Sequence, residues 1–302
     1  MKRILVTGGQ GYIGKYLSNA LRKKGYEVVL VARRYNFADK QTIIKDISLL
    51  DAKEKLTKDF DVIFHLASII KIDDMINSPG DTIKNNFDCT INLLEDIRLN
   101  NPNCLFVFAS SDKVYGNAKQ KIVNEDDFGV PLEPYGCSKS ISELAIRAYS
   151  NVYGIKYVII RSGNVFGPNQ SGNTFIPSLI SRIAKGETNL KVGTLKSNRN
   201  FTYIEDLIDA FRICMTKKKA INQVFNIMSF NSSMIDVAKE IADATKKIKN
   251  REINYIYDQS RTRLARAESG FFVMDCTKAK KMLGWKPKYN LPKALKKIFR
   301  VI

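Results

Sequence analysis

Short runs of branched and aromatic apolar residues recur along the first half of the chain, and segments with helical periodicity separate them. The runs occupy residues 4–6, 28–31, 62–64, 105–108 and 157–160. Nearly every position within a run is apolar, which is typical of parallel strands buried on both faces. The periodicity predicts helices at residues 14–24, 82–100 and 135–152. This alternation predicts an α/β fold with a Rossmann-type, doubly wound parallel sheet.

The pattern changes after Arg161, where glycine, proline and asparagine cluster in the loop-like sequence NVFGPNQSGN. Helices are predicted beyond this loop at residues 176–185, 206–215 and 234–245. We therefore expect a Rossmann domain at residues 1–165, with residues 202–230 packing back onto it. Residues 166–201 and 231–302 are expected to form a smaller α/β substrate-binding lobe.

The composition is that of an ordinary globular protein. Hydrophobic residues make up 44% of the 302 positions, which is enough for a sizeable core. The sequence has no apolar run of about 18 residues, the length that a membrane span requires. The N-terminus enters a strand-like run directly, without the longer apolar stretch of a signal peptide. These features predict a cytoplasmic protein without a membrane segment.

Cysteine and histidine restrict the possible chemistry. The five cysteines are odd in number and widely spaced, without a CxxC pair, so neither a zinc site nor a disulfide framework is indicated. His65 is the only histidine, which excludes a histidine-rich metal site within one chain. We therefore expect free thiols and no bound metal.

The chain is strongly basic. Its 49 lysine and arginine residues exceed its 30 acidic residues, for a net charge of +19. Such a charge fits an anionic partner such as nucleic acid or a phosphate-rich ligand, and it also fits a lysine-rich solvated surface. The lysines are scattered rather than grouped beside aromatic residues, which favours the solvated surface over nucleic-acid binding.

The segment TGGQGYIG at residues 7–14 lies between the first predicted strand and the first predicted helix. In this context Gly8 allows a tight turn, Gly11 lets a pyrophosphate approach the backbone, and Gly14 permits close helix–strand packing. The free N–H groups of the helix N-terminus favour phosphate binding. Tyr12 and Ile13 belong to the same predicted cofactor segment.

The end of the second strand bears on the choice of cofactor. An NAD site usually has an acidic residue there to bind the ribose hydroxyls, whereas arginine suits the 2′-phosphate of NADP. Ala32 occupies that position, and Arg33 and Arg34 follow it. The sequence therefore predicts NADP, with NAD as the alternative.

A catalytic group is predicted at the next strand and helix. Tyr135 and Lys139 are four residues apart, so a helix places them on one face. An adjacent ammonium and an oxidised nicotinamide favour the phenolate, which lowers the tyrosine pKa and suits proton exchange with a sugar. Ser110 and Ser111 follow a predicted strand at its carboxyl end, where open α/β sheets bind ligands.

Five ordered motifs resemble those of the extended short-chain dehydrogenase/reductase family, in its branch of nucleotide-sugar epimerases and dehydratases. They are TGGQGYIG, FHLA at residues 64–67, SSDKVYG at 110–116, YGCSK at 135–139 and RSGNVFGP at 161–168. The sequence LGWKP at 283–287 is similar to the C-terminal signature of the family, so the resemblance covers nearly the whole chain. It implies that Ser111, Tyr135 and Lys139 form the catalytic triad.

The resemblance also implies cofactor contacts. Asp46 and Ile47 match the pair beside the adenine, and Leu66, Ala67 and Ser68 match the backbone segment along the cofactor. His65 is expected to be a structural residue at the end of a strand. A homodimer that pairs the helices around residues 85–100 and 135–152 is implied in the same way.

The implied substrate contacts are polar and basic. Asn164 matches a residue that touches the phosphates or the sugar of the substrate. Arg199 and Arg266 resemble arginines that clamp the nucleotide diphosphate. The second assignment is loose because Arg261 and Arg263 lie close to Arg266 in the sequence.

The pair Asp112 and Lys113 differs from simple 4-epimerases and resembles 4,6-dehydratases, in which the aspartate expels the C6 hydroxyl. The length of the chain and the arginines after Ala32 instead favour an NADPH-dependent reductase of a nucleotide-linked 4-keto sugar, with Tyr135 as proton donor. In that reading Asp112 contacts the substrate or lies in a turn. The alternatives are a 4-epimerase or 4,6-dehydratase with tightly bound NAD and, more remotely, a non-catalytic redox sensor or RNA-binding protein.

Overall fold

The computed structural model describes residues 2–34, 41–70, 77–118, 120–170, 174–261 and 272–301. The strands of the central sheet are β1 (Arg3–Thr7), β2 (Glu27–Ala32), β3 (Thr42–Ile44), β4 (Val62–His65), β5 (Leu105–Ser111), β7 (Lys156–Ser162) and β11 (Gln223–Ile227). The strands outside this sheet are β6 (Ile122–Val123), β8 (Asn164–Phe166), β9 (Asn189–Val192), β10 (Asn198–Tyr203), β12 (Phe230–Ser233), β13 (Asn254–Tyr257) and β14 (Val273–Met274).

The α-helices are α1 (Tyr12–Arg22), α2 (Pro79–Asn100), α3 (Pro134–Tyr153), α4 (Phe175–Ala184), α5 (Ile204–Thr216), α6 (Met234–Lys249) and α7 (Leu291–Ile298). Short 3₁₀ turns lie at Ile47–Leu49, Ala52–Glu54, Asp112–Tyr115, Lys218–Ala220 and Gln259–Arg261. A π-helical turn spans Ala279–Leu283.

The central sheet has the order β3-β2-β1-β4-β5-β7-β11, and all its neighbouring strands are parallel. This arrangement confirms the predicted doubly wound fold. The chain builds the sheet outward in one direction from β1 to β3 and in the other from β4 to β11. A crevice opens where the direction reverses, between β1 and β4, and open α/β sheets bind their ligands at this point.

Alternate residues of each central strand face the two sides of the sheet. Ile4 and Val6 pack into the larger hydrophobic cluster, which includes α1 and α5, whereas Leu5 packs into the cluster beneath α2 and α3. Ile4, Leu5 and Val6 are fully buried. Burial on both faces explains why the central strands have continuous apolar runs in the sequence.

Three small sheets lie outside the central sheet. In the largest, β10 pairs with β8 in parallel and with β12 in antiparallel fashion. The other two sheets are the parallel pairs β9–β13 and β6–β14. Helix α6 lies in the same hydrophobic cluster as α7, through Val237, Ile241 and Leu295.

The helix bounds differ from the predictions by a few residues. Helix α1 begins at Tyr12 rather than at residue 14, and it ends at Arg22 because the chain then turns through Gly25, whose φ is +81°. Helix α2 begins at Pro79 rather than at residue 82, with proline in the first turn. Proline is favoured there because its fixed φ suits the start of a helix.

Candidate active site

The glycine turn after β1 has little space for side chains. Gly8 has a φ of +64°, and a Cβ atom there would lie 2.8 Å from the backbone nitrogen of Ala67. A Cβ atom on Gly14 would collide with the carbonyl oxygen of Gly8. Gly11 caps α1 without a side-chain hydrogen bond, and the first turn of α1 contains no acidic residue. The helix N-terminus is therefore suited to a phosphate.

A cavity of about 260 Å³ adjoins this turn at the carboxyl ends of β1 and β2. Its lining includes seven of the predicted cofactor residues, namely Gly8, Gly11, Arg33, Asp46, Ile47, Ala67 and Ser68. It also includes Gln10, Lys45, Asn85 and Cys89, which the sequence analysis missed. The Nε2 atom of Gln10 and the Oγ atom of Ser68 are buried without a hydrogen-bond partner among the described residues. These unsatisfied groups and the glycine turn fit a dinucleotide.

The other predicted cofactor residues lie around this cavity rather than in its lining. The Tyr12 hydroxyl donates a hydrogen bond to the Pro168 carbonyl at 3.2 Å. Ile13 packs against the larger hydrophobic cluster. Leu66 packs there too, and its N–H donates to the Thr7 carbonyl at 3.3 Å.

Gly14 and Arg34 are two more predicted cofactor residues that lie outside the cavity lining. Gly14 is buried beneath the glycine turn. Arg34 is exposed beyond the end of β2, so of the predicted arginine pair only Arg33 lines the cavity.

Asp46 is fixed by the turn that follows it. Its Oδ1 accepts hydrogen bonds from the Ser48 N–H at 3.0 Å and from the Ser48 hydroxyl at 2.7 Å. These bonds cap the turn Ile47–Leu49, and Ile47 is buried beside the carboxylate. Asp46 and Ile47 are thereby fixed in the lining of the cavity.

His65 is enclosed at the end of β4. Its Nδ1 lies 2.8 Å from the Thr7 hydroxyl and its Nε2 lies 3.2 Å from the Thr90 hydroxyl. Burial, and to a lesser degree the charge of Lys139, lowers the pKa of His65 to about 3. The ring is therefore neutral at physiological pH, and the Thr7 oxygen that it contacts also accepts a bond from the Ala67 N–H at 3.2 Å.

Tyr135 and Lys139 lie one turn apart near the start of α3. The Lys139 Nζ is 5.6 Å from the centre of the Tyr135 ring and 4.6 Å from the centre of the Phe108 ring on β5. Lys139 is only 3% exposed, and burial lowers its pKa to about 8, against the opposing effects of Cys89 and Glu143. The ammonium thus lies between the phenol and the central sheet.

The pKa of Tyr135 is raised by the groups of the protein itself. Burial raises this pKa, and the nearby carboxylates of Glu133 and Asp112 raise it further, whereas the Ser111 hydroxyl lowers it slightly. The expected lowering depends on Lys139 together with a bound oxidised nicotinamide, and it stays a prediction. The phenol is protonated at neutral pH and can serve as a proton donor.

Ser111 ends β5 and contacts Asp112. The Ser111 hydroxyl donates to the Asp112 Oδ1 at 3.2 Å and accepts a bond from the Lys113 N–H at 3.3 Å. The Asn200 amide on β10 donates to the Asp112 Oδ2 at 3.4 Å. Asp112 is 4% exposed. Asp112 therefore links the end of the central sheet to β10 and is buried rather than solvated.

A buried polar network behind β5 was missed by the sequence analysis. The Ser110 hydroxyl donates to the Glu143 Oε1 at 2.5 Å, and Glu143 pairs with Arg161 at 2.7 Å. Arg161 also donates to the Tyr115 hydroxyl at 2.9 Å, which in turn donates to the Asn226 Oδ1 at 2.7 Å. The only sequence feature that pointed to this network is that Ser110 and Tyr115 lie in the motif SSDKVYG and Arg161 begins the motif RSGNVFGP.

A second cavity of about 200 Å³ lies between α4, β9 and β10. Asn164 and Arg199, both predicted substrate contacts, line it together with Phe175, Lys191 and Met234. The Asn164 amide donates to the Asn200 carbonyl at 3.0 Å. The mixture of basic, polar and aromatic groups suits a nucleotide with its phosphates.

One predicted substrate contact cannot be placed in this cavity. Arg266 lies outside the described residues, and so does its neighbour Arg263.

Several other features bear on the chemistry of the site. All five cysteines are free thiols. Within the described ranges, no group of three or more His, Cys, Asp or Glu side chains is placed to hold a metal ion. No helix in that part of the chain is both long and apolar enough to cross a membrane.

Comparisons with known proteins agree along nearly the whole chain. The family model of GDP-mannose 4,6 dehydratase matches residues 5–298. A putative UDP-glucose 4-epimerase of Methanocaldococcus jannaschii is 30% identical, covering 98% of this chain and 96% of the relative. A UDP-N-acetyl-alpha-D-glucosaminuronate decarboxylase of Bacillus cytotoxicus is 28% identical, with coverage of 98% and 96%.

Solved structures show the same similarity. The UDP-glucuronic acid 4-epimerase from Bacillus cereus, in complex with UDP-glucuronic acid and NAD, has a TM-score of 0.86 and 28% identity. The match covers 99% of this chain and 98% of that chain. The protein is therefore an enzyme of the extended short-chain dehydrogenase/reductase family. It belongs to the branch of nucleotide-sugar epimerases, dehydratases and decarboxylases.

Proposed function

We propose that the protein reduces the 4-keto group of a nucleotide-linked sugar, with NADPH as hydride donor. The observation that carries this choice is the end of β2, where Ala32 replaces the acid of an NAD site and Arg33 lines the adjoining cavity. The nucleotide-diphosphate sugar is assigned because related epimerases are solved with UDP-sugars. Asn164 and Arg199 line the second cavity and are the proposed contacts to its nucleotide.

The proposed chemistry uses three side chains. Bound NADPH would supply the hydride for C4 of the sugar. Ser111 orients the keto oxygen by a hydrogen bond, which stabilises the negative charge that develops there. Tyr135 donates its proton to this oxygen, since burial keeps the phenol protonated. Lys139 stabilises the phenolate that remains, from its position beside the Tyr135 ring.

Gly8, Gly11, Gln10 and Ser68 are the proposed contacts to the diphosphate and ribose of the cofactor. Asp46 and Ile47 are the proposed contacts to its adenine. The unsatisfied buried atoms of Gln10 and Ser68 support this placement.

A second candidate function is 4-epimerisation or 4,6-dehydration with tightly held NAD. It is supported by the names of the relatives and by the solved neighbours that contain NAD. Asp112 lies beside Ser111 and close enough to Tyr135 to affect its pKa, so it is placed where a second acid would be needed. The same triad serves all these reactions.

The test is to denature the purified protein and identify the released cofactor. The proposal expects an emptied or exchangeable site that binds added NADPH, and NADPH oxidation when a UDP-4-keto-6-deoxy sugar is supplied. Release of stoichiometric NAD, with no NADPH oxidation, would favour the epimerase or dehydratase. Binding of RNA with a steep salt dependence, without turnover of any nucleotide sugar, would favour a non-catalytic member.

The proposal includes a cytosolic homodimer that pairs α2 and α3. Both helices expose large apolar side chains, among them Leu99 at 57%, Leu144 at 61% and Val152 at 71% exposure. Apolar patches on a helical face are typical of protein interfaces. Light scattering of the wild type and of Leu144→Arg tests this part, since a dimer requires the variant to shift toward the monomer.

A further inference from the structure

Lys45 lies beside the end of β2, although 12 positions separate it from Arg33 in the sequence. Strand β3 pairs with β2 in parallel, with Ile44 opposite Ala32. The Lys45 N–H then donates to the Ala32 carbonyl at 2.9 Å. Lys45 and Arg33 are therefore adjacent at the carboxyl edge of the sheet, and both line the same cavity.

The positive charge of Arg33 affects Cys89, a residue of this cavity. Burial and the carboxylate of Asp46 raise the pKa of the Cys89 thiol to about 12, and the Arg33 guanidinium opposes them. Cys89 is itself part of the cavity lining. The positive charge of Arg33 therefore acts on a group that lines the cavity, although the Arg33 side chain is itself exposed.

Lys45 is paired with the carboxylate of Glu54, which a bound phosphate can replace. Its Nζ lies 2.5 Å from the Glu54 Oε1 and 2.6 Å from the Glu54 Oε2. The two side chains are 28% and 41% exposed, and pairs of this kind contribute little to stability. Glu54 also accepts a bond from the Asp51 N–H at 3.2 Å, so its position does not depend on Lys45.

One carboxylate, Asp46, shares the cavity with these two cations. Its Oδ1 is engaged by the N–H and the hydroxyl of Ser48, which stabilise its negative charge locally. A phosphate dianion placed between Arg33 and Lys45 would form charge-assisted hydrogen bonds with both. A ribose hydroxyl at the same point would gain much less from them.

We propose that Lys45 is the second cation of a site for the 2′-phosphate of NADP, acting with Arg33, and that Glu54 is its counter-ion until the phosphate binds. Lys45 is therefore a specificity-determining residue that lies outside the glycine motif and the arginine pair. The inference rests on the proposed use of NADP, and it deepens that proposal by naming how the phosphate is recognised.

The test measures binding of two probes by calorimetry at fixed ionic strength, without turnover. The probes are 2′,5′-ADP, which carries the additional phosphate, and 5′-AMP, which lacks it. Lys45→Gln is expected to weaken 2′,5′-ADP about 10-fold to 100-fold, the usual effect of losing a hydrogen bond to a charged group. Its affinity for 5′-AMP should stay within a factor of about two, since this probe makes no such bond.

Two further variants test whether the effect is specific to Lys45 and to its ion pair with Glu54. Lys53→Gln makes the same charge change on an exposed lysine outside the cavity lining, so it should leave both affinities unchanged. Glu54→Gln removes the competing carboxylate and should strengthen 2′,5′-ADP alone. Equal losses for both probes in Lys45→Gln, or no loss, would overturn the role of Lys45.

The wild type separates this inference from the proposed function. A preference for 2′,5′-ADP that is undiminished in Lys45→Gln would contradict the two-cation site and leave the use of NADP intact. No preference in the wild type would instead contradict the use of NADP, and the inference with it.

Discussion

The buried ion pair behind β5 leads to a quantitative prediction for Glu143→Gln. The side chains of Arg161 and Glu143 are 4% and 5% exposed, and Glu143 accepts three hydrogen bonds from Arg161 as well as one from Ser110. Burial alone would lower the pKa of Arg161, but Glu143 and Tyr115 outweigh it and raise this pKa. Arg161 nevertheless stays charged when Glu143 is removed, because a guanidinium is not deprotonated in proteins.

Breaking one partner of a buried pair destabilises a protein by about 3–5 kcal/mol, because a charge is left uncompensated. We expect Glu143→Gln to lower the free energy of unfolding by this amount in urea titrations. Glu95→Gln is the matched control, since the side chains of Glu95 and Arg98 are 34% and 30% exposed. Its effect should be much smaller, because solvent screens that pair.

A double variant, Glu143→Leu with Arg161→Met, separates charge from packing. Removing both charges should recover part of the stability that Glu143→Gln loses. The reasoning would be refuted if Glu143→Gln destabilised the protein no more than Glu95→Gln. It would also be refuted if the double variant were less stable than Glu143→Gln.

Three further predictions concern titration and the glycine turn. Turnover should fall above a pH of about 8 as Lys139 loses its proton, and Lys139→Arg should remove this fall in a pH–rate profile because arginine stays charged. Unfolded His65 binds a proton below about pH 6.5 and the folded form does not until about 3, so stability should decrease as pH falls through this window. Urea titrations of His65→Asn should show a shallower decrease. Gly8→Ala should abolish NADPH binding because its Cβ meets Ala67, whereas Gly25→Ala, at a φ of +81° with no atom within 4 Å, should bind normally.

The central strands could be predicted from the sequence because burial on both faces produces continuous apolar runs. Strand β3 could not, since it has three residues and two of them are exposed. The omission of β3 hid the position of Lys45, whose contact with Ala32 depends on that strand pairing. Pairing between distant segments is a tertiary property that local periodicity does not contain.

The sequence predicted which residues belong to the candidate site more fully than it predicted their pKa values. Ser111, Tyr135 and Lys139 could be grouped because the family resemblance implies them as a triad, with Ser111 at the carboxyl end of a predicted strand and the other two on one helix face. The direction of the Tyr135 pKa could not be predicted, because it depends on burial and on Glu133 and Asp112. The pairing of Glu143 with Arg161 is likewise visible only once α3 packs on β7.

The turnover of Tyr135→Phe tests most directly whether this phenol donates the proton to the sugar. Removing one hydroxyl leaves the ring, Lys139 and the glycine turn in place, so the affinity for NADPH should stay near that of the wild type. Loss of a positioned proton donor should lower kcat by about 10²-fold to 10⁴-fold. Single-turnover NADPH oxidation with a UDP-4-keto-6-deoxy sugar measures this step, and a wild-type rate in Tyr135→Phe would contradict the proposed mechanism.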